Sequence, residues 1–507
     1  MSKVILILVL FICPMKALYA QDYLSYVRKF ADTLLTYGTD KYGSKQLPMW
    51  AGLIDTRDYS VPRGTAEEAE RTKGGGGYMD VFDRRAVGGA NIYHDFETLK
   101  VFEILSLITR DSKYSKATKD YVTAFLNNTQ NEYTGLLGWG EHMYYDFYKD
   151  EVTVGGMDPA NPDYTHELLP KKPIWEELWK VSPERTAKAI EGLKYHFDGP
   201  NTQTFIFNRH ANWHKINKTI LGAEGLEQYQ YDWKASFIAH AGLFTYSFMF
   251  LHSKTNDPRW LKWSNGVGNL HWTYRNKTTN LTSWNLTSYG QPEPQFGQTT
   301  HFAYRLYQAY ELKPTEKEMR NHALILFKAA EKYAWQSKDK FYVNELNMDG
   351  SLVKPDDPRY NKPVLFRGDQ VKTLPVKPQF RAPIGRVAAY LYQREKDPHF
   401  LVIAKRMVDI MKRDTLKKNF QAREVGDRIH FLMDVYDLTK EKSLLNLAKD
   451  YANKGIAGLW RNGLFARRVN EPYYESLGGV GNFVGGLLRL HLEGESKGGV
   501  NNIDWSY

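Results

Sequence analysis

Cysteine is almost absent from this chain of 507 residues, which contains only Cys13. That residue falls within a predicted export signal, so the mature chain is expected to have no thiol. Without thiols, the protein can form no disulfide, no cysteine nucleophile and no zinc site that depends on thiolates. A cysteine-free exported protein is more typical of a bacterial periplasm or exterior than of a eukaryotic secretory route.

Long hydrophobic runs are also missing, with one short exception at the start. Lys3 supplies a positive charge, Val4 to Ile12 is apolar but too short to span a bilayer, and Leu18 to Ala20 fits a cleavage site. We therefore predict a signal peptide over residues 1–20 and one catalytic domain over residues 21–507. The protein is expected to be secreted or periplasmic, with no membrane span, and to be a monomer.

Arginine-rich arms and nucleic-acid motifs are absent as well, although the chain is basic. Its formal charge is +10, and loss of Lys3 and Lys16 with the signal leaves +8. A positive surface favours an anionic partner. In an exported protein, an acidic polysaccharide or oligosaccharide is a better candidate than nucleic acid, but a general solubility charge explains the same value.

Alternating strand patterns are scarce, and apolar residues recur mainly at steps of three and four. This periodicity predicts an all-α protein. The predicted helices are Asp22 to Tyr37, Asp95 to Leu107, Ser115 to Leu126, Pro183 to Phe197, Trp233 to His252, Phe302 to Leu312, Thr315 to Ala334, Pro383 to Arg394, His399 to Arg413 and Lys442 to Ala452.

One local pattern recurs along the chain. A helix ends, a short charged turn follows, and a new amphipathic helix starts; the pattern begins at Thr109, Thr255, Glu395 and Thr439. The acidic residue in the turn can cap the next helix. Tight helical hairpins repeated in this way predict an (α/α) toroid of antiparallel helical hairpins. An ordinary helical domain without closure is the alternative.

Several stretches do not follow the helical pattern, and we predict that they form long functional loops. They are Gln46 to Asn91, Glu132 to Pro173 and Arg275 to Thr300, with a further glycine-rich turn over Asn470 to Gly486. The second of these contains the densest cluster of reactive side chains.

Three short segments combine histidine with carboxylate or arginine. They are Gly138 to Asp146, His166 to Leu168 and Asn208 to His214. Imidazole and carboxylate are natural ligands of a divalent metal. No HExxH motif is present, so the fold would have to bring these ligands together. The alternative is coincidence, because a chain with 14 histidines places some of them beside acids by chance.

The ordered series Trp139-Gly-Glu-His142, His166-Glu167 and Arg209-His210 resembles the pectate lyases of polysaccharide lyase family two. The resemblance covers roughly residues 130 to 260. It implies an α/α toroid that cleaves polygalacturonate by β-elimination. It also implies a divalent metal, manganese or a similar transition metal, with calcium as the alternative.

Carried over residue by residue, the resemblance implies that His142, Glu167 and His210 are the metal ligands and that Arg209 is catalytic. A second family arginine corresponds to Arg381, with Arg386 as the alternative. Two features depart from the family pattern. Glu141 stands where a small residue is expected, and the base lysine has no clear match among Lys328, Lys332 and Lys340.

Two other functions remain open. The first is a glycoside hydrolase, which needs a carboxyl pair across the scissile bond. Loop acids that could supply this pair are Asp146, Glu167, Asp232 and Glu475. The second is a noncatalytic glycan-binding protein. Its binding would depend on aromatic rings and would survive loss of Glu167.

Aromatic residues make up 14% of the chain, with 13 Trp and 34 Tyr. Sugars stack on aromatic rings, so the loop residues Trp139, Tyr145 and Trp213 are predicted to bind substrate, and Tyr144 and Trp284 are further candidates. Packing in the core is the commoner fate of any one aromatic side chain.

Overall fold

The structure is a computed structural model. It describes residues 22–73, 85–141, 143–154, 164–165, 168, 173–197, 204–213, 236–286, 294–353, 379–495 and 505. The predicted signal peptide lies outside these residues. No helix of the described part has the length and apolar character needed to cross a membrane.

Helices dominate the described chain. They are α1 Tyr23–Thr33, α2 Ala66–Arg71, α3 Phe96–Thr109, α4 Lys113–Thr129, α5 Trp175–Val181, α6 Pro183–Gly192, α7 Ile238–Thr255, α8 Pro258–Thr273, α9 Phe296–Leu312, α10 Lys317–Ala334, α11 Ala382–Glu395, α12 Pro398–Arg413, α13 Ala422–Thr439, α14 Lys442–Leu459 and α15 Val480–Glu495. A π-helical turn, Leu34–Gly38, extends α1, and a 3₁₀ turn, Leu193–His196, extends α6.

The strands are short and lie between or at the ends of helices. They are β1 Leu53–Asp55, β2 Gly89–Ala90, β3 Met143–Asp146, β4 Glu151–Val154, β5 Tyr164–Thr165, β6 Ala211–Asn212, β7 Trp335–Gln336, β8 Phe341–Tyr342, β9 Trp460–Arg461, β10 Leu464–Phe465 and β11 Tyr473–Glu475. All their pairings are antiparallel. The longest sheet has the order β2-β3-β4, and β1 pairs with β11 near the other end of the chain.

The helices pack as a closed ring, which confirms the predicted all-α toroid. In the first part of the ring, each helix from α3 to α7 packs on the next one along the chain. In the second part, every other helix is in contact, from α7 to α9, α11, α13 and α15. The last of these, α15, packs on α3 and closes the ring. The remaining long helices α8, α10, α12 and α14 pack as partners of α7, α9, α11 and α13. Each pair is therefore an antiparallel hairpin of the ring.

The four charged turns share one geometry. Each preceding helix ends in a residue with left-handed backbone: Arg110, Asn256, Lys396 and Lys440, with φ between 55° and 58°. In two of them an aspartate then caps the next helix as predicted, because Asp257 accepts from the Arg259 amide and Asp397 accepts from the His399 amide. The left-handed residue reverses the chain direction within two or three residues.

Inner and outer helices differ in burial. On α7 every residue from Ile238 to His252 is buried, whereas α14 alternates buried and exposed positions. A helix buried on all sides loses its amphipathic pattern, so the regular three- and four-residue spacing belongs to the outer helices. The sequence analysis predicted α12 and α14 and also the buried inner helix α7, but it missed the inner helix α13.

The predicted glycine-rich turn over Asn470 to Gly486 was partly wrong, because α15 begins at Val480. Gly481 and Gly486 lie within α15, and they allow neighbouring helices to pack closely against it. A Cβ at Gly481 would lie 2.6 Å from the Thr98 hydroxyl on α3, and one at Gly486 would lie 3.1 Å from Ile429 on α13. Glycine therefore marks a helix contact here, and not a loop. The prediction also missed α2, α5 and the full extent of α8.

Candidate functional site

The pairing of β5 with β6 joins two of the segments that the sequence singled out. Thr165 pairs with Ala211 and Tyr164 with Asn212. Thr165 directly precedes His166-Glu167 in the chain, and Ala211 directly follows Arg209-His210. The fold thus brings two sequence-distant segments side by side. His166 and Glu167 themselves lie outside the described residues.

Hydrogen bonds from buried polar groups fix the backbone that carries Arg209 and His210. The His210 amide donates to Asn208 Oδ1 at 3.0 Å, and the Asn208 amide donates to the His196 carbonyl at 2.8 Å. His196 Nδ1 lies 3.0 Å from the Asn208 carbonyl. Asn208 and His196 are buried, whereas Arg209 and His210 are half-buried. Buried hydrogen bonds therefore fix the backbone of this loop, while the Arg209 and His210 side chains remain partly accessible to solvent.

Arg209 lies against the start of the inner helix α7. Its Cζ atom is 5.0 Å from the centre of the Phe237 ring. Burial, together with the positive charge of Arg209, lowers the pKa of His240 to about 3. A backbone hydrogen bond from Leu168, the residue after Glu167, acts in the opposite direction. His240 is therefore neutral at neutral pH, and it lies between the Leu168 backbone and the charge of Arg209.

A buried arginine, Arg305, lies on α9 beside His301. Burial lowers the pKa of His301 to about 3, with a further contribution from Arg305, and His301 in turn affects His240. Arg305 is 1% exposed and donates through Nη1 to Gln308, but its Nη2 has no partner among the described residues. The sequence analysis missed Arg305. The available signal was an arginine inside the apolar pattern of a predicted helix.

The turn around His142 is clamped from the neighbouring loop. The Asn91 carboxamide donates to the carbonyls of Gly140 and Met143, at 2.8 and 3.2 Å, and Asn91 Oδ1 accepts from the Gly140 amide at 3.3 Å. Asn91 is fully buried. His142 itself lies outside the described residues, but the residues on either side of it are held by one buried side chain.

Residues 79–331, which contain all of these segments, match the model of a family described as periplasmic pectate lyase. Over these residues the chain belongs to the periplasmic pectate lyase family. The described segments of the site, from Asn91 to Arg305, all fall within the matched region.

Parts of the chain are also similar to individual relatives and solved structures. The chain is 30% identical over 95 residues to a pectate disaccharide-lyase of Dickeya dadantii (strain 3937), and the matched stretch spans 19% of this chain and 17% of that relative. Among solved structures, a D-mannose isomerase superposes with a TM-score of 0.50 at 10% identity, covering 94% of this chain and 99% of that one. A family 76 glycoside hydrolase from a bovine Bacteroides thetaiotaomicron strain superposes with a TM-score of 0.45 at 11% identity, covering 94% and 78%.

The two arginines proposed as the second pectate lyase arginine lie in different places. Arg381 is half-buried at the start of α11, where its Nη2 donates to Gln379 at 3.0 Å. Arg386 lies one turn further along and donates to Asp434 at 2.7 Å and to the Trp505 carbonyl at 2.5 Å. Neither has a described contact with Arg209, and Arg305 is related to Arg209 only through the charges that act on His301 and His240.

The three lysines considered for the pectate lyase base lie on or just after the outer helix α10. Lys328 donates to Asp397, the cap of α12, at 2.6 Å. Lys332 and Lys340 are exposed, and Lys332 lies 5.1 Å from the Tyr333 ring. The structure brings none of them to the Arg209 loop among the contacts of the described residues.

The predicted metal ligands of a pectate lyase are only partly described. His210 is described, whereas His142 and Glu167 are not. Within the ranges that the structure describes, no three histidine, cysteine or acidic side chains come together in a way that could hold a metal ion. The metal site therefore remains a prediction from the family resemblance.

The three aromatic residues predicted to stack on sugar occupy core positions. Trp139 is 1% exposed and packs on Tyr93 and Trp175 at ring distances of 5.1 and 5.4 Å. Tyr145 is fully buried, and burial raises the pKa of its phenol well above the usual range. Trp213 is 8% exposed and donates to the Leu136 carbonyl at 3.2 Å. Sugar stacking needs an open ring face, so this placement corrects the prediction for all three.

Two of the acids considered for hydrolysis have structural partners. Glu475 is 1% exposed and accepts from Arg85 and Arg467, both at 2.7 Å. Asp146, also 1% exposed, accepts from the amides of Tyr148 and Lys149 at 2.8 and 3.1 Å. The other two, Glu167 and Asp232, lie outside the described residues.

Proposed function

We propose that the protein is an exported polysaccharide lyase that cleaves a uronic-acid polymer of pectate or polygalacturonate type by β-elimination. One observation carries the proposal. Within the region that belongs to the pectate lyase family, the Arg209-His210 loop lies beside neutral His240 and beside the segment that leads to Glu167. This arrangement would present the Arg209 cation beside the residues proposed as metal ligands.

β-Elimination next to a uronate requires removal of the proton at C5, whose acidity depends on the adjacent carboxylate. When a cation neutralises that carboxylate, the negative charge that develops at C5 is stabilised. The Arg209 guanidinium can hold a carboxylate with two parallel hydrogen bonds. His240 remains uncharged beside it, so it supports the loop without adding a competing positive charge.

We further propose that Arg305, in place of the predicted Arg381, is the second arginine of the site. A buried guanidinium with an unpaired donor is costly unless it meets an anion. Arg305 meets this description, its charge acts on His301 one turn away on the same helix, and the charges of His301 and Arg209 both act on His240. Arg305→Lys should then reduce turnover more than Arg381→Lys, because lysine cannot reproduce a forked contact.

The donor set His142, Glu167 and His210 fits a transition metal by its chemistry, since two imidazoles and a carboxylate suit manganese and similar ions better than calcium. Two features of the described residues support this assignment. The β5–β6 pairing fixes the backbone next to Glu167 and His210, and Asn91 bonds the backbone on both sides of His142. When bound, the metal would act as a Lewis acid on the uronate carboxylate. Arg209 would bind and orient the same group.

A glycoside hydrolase is the second candidate. It has less support because Glu475 and Asp146 are buried and already bonded to structural partners. A noncatalytic glycan-binding protein also has less support, because the three aromatic residues predicted for it lie in the core. We propose that the protein acts as a monomer on an acidic polysaccharide and has no nucleic-acid partner. Export would depend on residues 1–20.

The deciding experiment follows ultraviolet absorbance of the unsaturated product during incubation with polygalacturonate. We expect absorbance to rise, a chelator to stop the rise, and added manganese to restore it more fully than calcium. New reducing ends without ultraviolet absorbance would favour the hydrolase. No reaction on any uronate polymer, despite binding, would favour the glycan-binding protein.

A further inference from the structure

Exposed cations gather where the outer helices α10 and α12 end. They lie in two stretches, residues 332–340 and 409–418, and are Lys332, Lys338, Lys340, Lys412, Arg413, Lys417 and Lys418. Together with the three acids of the same stretches, they give a net charge of +4, which is half of the +8 expected for the mature chain. We call these two stretches the basic rim.

Contacts between the two helices make the basic rim one surface. On the helices themselves, Arg406 of α12 donates to Glu331 of α10 at 2.8 Å. At their ends, Arg413 donates to the backbone carbonyls of Asp339 and Lys340. The turn between β7 and β8 is thereby fixed to the end of α12, and the two stretches lie side by side.

Ion pairing separates the rim cations from their neighbours. Other cations of α10 and α12 have acidic partners: Lys328 pairs with Asp397 at 2.6 Å, Lys405 with Glu441 at 3.0 Å and Arg406 with Glu331 at 2.8 Å. None of the seven rim cations forms an ion pair with an acid of the described chain. Even Asp414, which lies within the rim, accepts from the Phe380 amide at 2.7 Å and not from a rim lysine. The positive charge of the rim is therefore available to an external anion.

The helix dipole accounts for only part of this charge. Cations are favourable in the last turn of a helix, which explains Lys332, Lys412 and Arg413. The effect falls off beyond that turn. It gives no reason for the other four, which lie outside helices, in the β7–β8 turn (Lys338 and Lys340) and in the connection to α13 (Lys417 and Lys418).

The residue types indicate which anion fits. Six of the seven cations are lysines, and Arg413 is already bonded to carbonyl groups. A carboxylate is best held by the fork of a free arginine, whereas lysine binds phosphate as a point charge. The lysines also come from four successive segments and not from one groove. An array of point charges over a surface matches the phosphates of a lipid headgroup layer better than a single polymer chain.

We propose that the basic rim docks the protein on a bilayer that contains anionic phospholipids. Association would be peripheral, reversible and electrostatic, with the lysine ammonium groups close to the headgroup phosphates. Each cation near such a surface strengthens binding about fivefold. This inference does not rest on the proposed function, and the rim begins at residue 332, just beyond the family match that ends at residue 331.

The test measures sedimentation of the full chain with phospholipid vesicles. We use phosphatidylcholine vesicles with and without about one third phosphatidylglycerol, at low and at physiological salt. We expect binding only to the anionic vesicles, and weaker binding as salt rises. The triple variant Lys338→Gln, Lys412→Gln and Lys418→Gln should bind these vesicles about 100-fold more weakly than the wild type.

The matched control removes three exposed lysines elsewhere: Lys119→Gln on α4, with Lys442→Gln and Lys454→Gln on α14. It loses the same net charge, and its vesicle binding should stay within about threefold of the wild type, because charges far from the contact are screened. Thermal unfolding checks that both variants are folded. The inference is wrong if the wild type does not bind the anionic vesicles, if neutral vesicles bind as well, or if the two triple variants bind alike.

Two further measurements test other occupants of the rim. Retention on immobilised polygalacturonate, with a chelator present, should be the same for both triple variants. A loss in the rim variant as large as its loss of vesicle binding would make the rim a general polyanion surface and overturn the inference. Inorganic phosphate and chloride at equal ionic strength should release the protein from vesicles equally. Stronger release by phosphate would indicate isolated phosphate sites, which also contradicts a lipid surface.

Turnover separates this inference from the proposed function. Formation of unsaturated product from soluble polygalacturonate should be equal in the rim variant and the wild type, because the rim cations have no described contact with the Arg209 loop. If no unsaturated product ever forms but vesicle binding follows the predicted pattern, the lyase proposal fails and the docking surface stands. If product forms but anionic vesicles do not bind, the lyase proposal stands and the docking surface fails.

Discussion

The segment from β3 to β6 and the helical hairpins from α11 to α14 are built differently. In the first, individual hydrogen bonds from buried Asn91, Asn208 and His196 fix the backbone. In the second, apolar faces and repeated turns do so, as in the contact of Phe400 with Phe327 at 6.0 Å. The first region should therefore respond to polar substitutions through activity, and the second to apolar substitutions through stability.

The largest expected effect tests the hairpin region. Phe400 is fully buried between α12 and α10, so Phe400→Ala should lower the free energy of unfolding by about 3–5 kcal/mol. Val402 on the same helix is 44% exposed, and Val402→Ala should change it by less than about 0.5 kcal/mol. Urea unfolding gives both values. Equal effects of the two variants would show that side-chain burial does not determine the stability of this region.

The next effect tests the loop region. Arg209→Ala should lower the turnover of polygalacturonate by about 100- to 1,000-fold, because it removes a preorganised cation from the site. Stability should change little. Arg259→Ala, an exposed arginine paired with Asp257 on α8, is the control and should retain turnover. Normal activity in Arg209→Ala would remove this residue from the mechanism.

A third prediction concerns pH and the buried histidines. Burial lowers the pKa of His271 to about 3, below its unfolded value of about 6.5. The unfolded chain then binds the proton more readily, so stability decreases as pH falls from about 6.5 towards 3. By pH 5 this histidine should cost about 2 kcal/mol. Urea unfolding of His271→Gln should show a shallower pH dependence than the wild type, and an identical slope would contradict the assignment.

A fourth prediction concerns the support of the loop by Asn208. Asn208→Ala removes the acceptor of the His210 amide, so the proposed ligand should be less well oriented. The apparent affinity for manganese, measured from restored activity, should fall about tenfold. Asn276 forms the same kind of turn with the Thr278 amide at 2.8 Å, so Asn276→Ala is the matched control. Equal metal affinity in both variants would separate Asn208 from the site.

The smallest effect concerns the recurring turn. Arg110 has a φ of 58° and is exposed, so Arg110→Gly should relieve left-handed strain and stabilise the protein by about 0.5 kcal/mol. Lys119→Gly in the middle of α4 should have the opposite sign, at about 1 kcal/mol. Thermal unfolding distinguishes them. Destabilisation by both variants would mean that Arg110 makes contacts that outweigh its backbone strain.

Sequence alone predicted most of the long helices, the four turns and the helical class, because these depend on local periodicity, capping and chain reversal. The sequence also showed the resemblance to the pectate lyase family, through Arg209-His210. Residue type could not reveal whether Trp139 or Tyr145 is buried, since an aromatic ring serves a core or a sugar equally well. The inner helices α13 and α15 were missed, α15 because its glycines were taken as the sign of a turn.

Only the tertiary structure decided how distant residues meet. Ring closure brings α15 back to α3, and the fold pairs β5 with β6. It also places Trp505 beside Arg386, 119 residues earlier in the chain. These contacts arise because packing and buried hydrogen bonds join segments that share no local pattern, and no spacing along the chain encodes them.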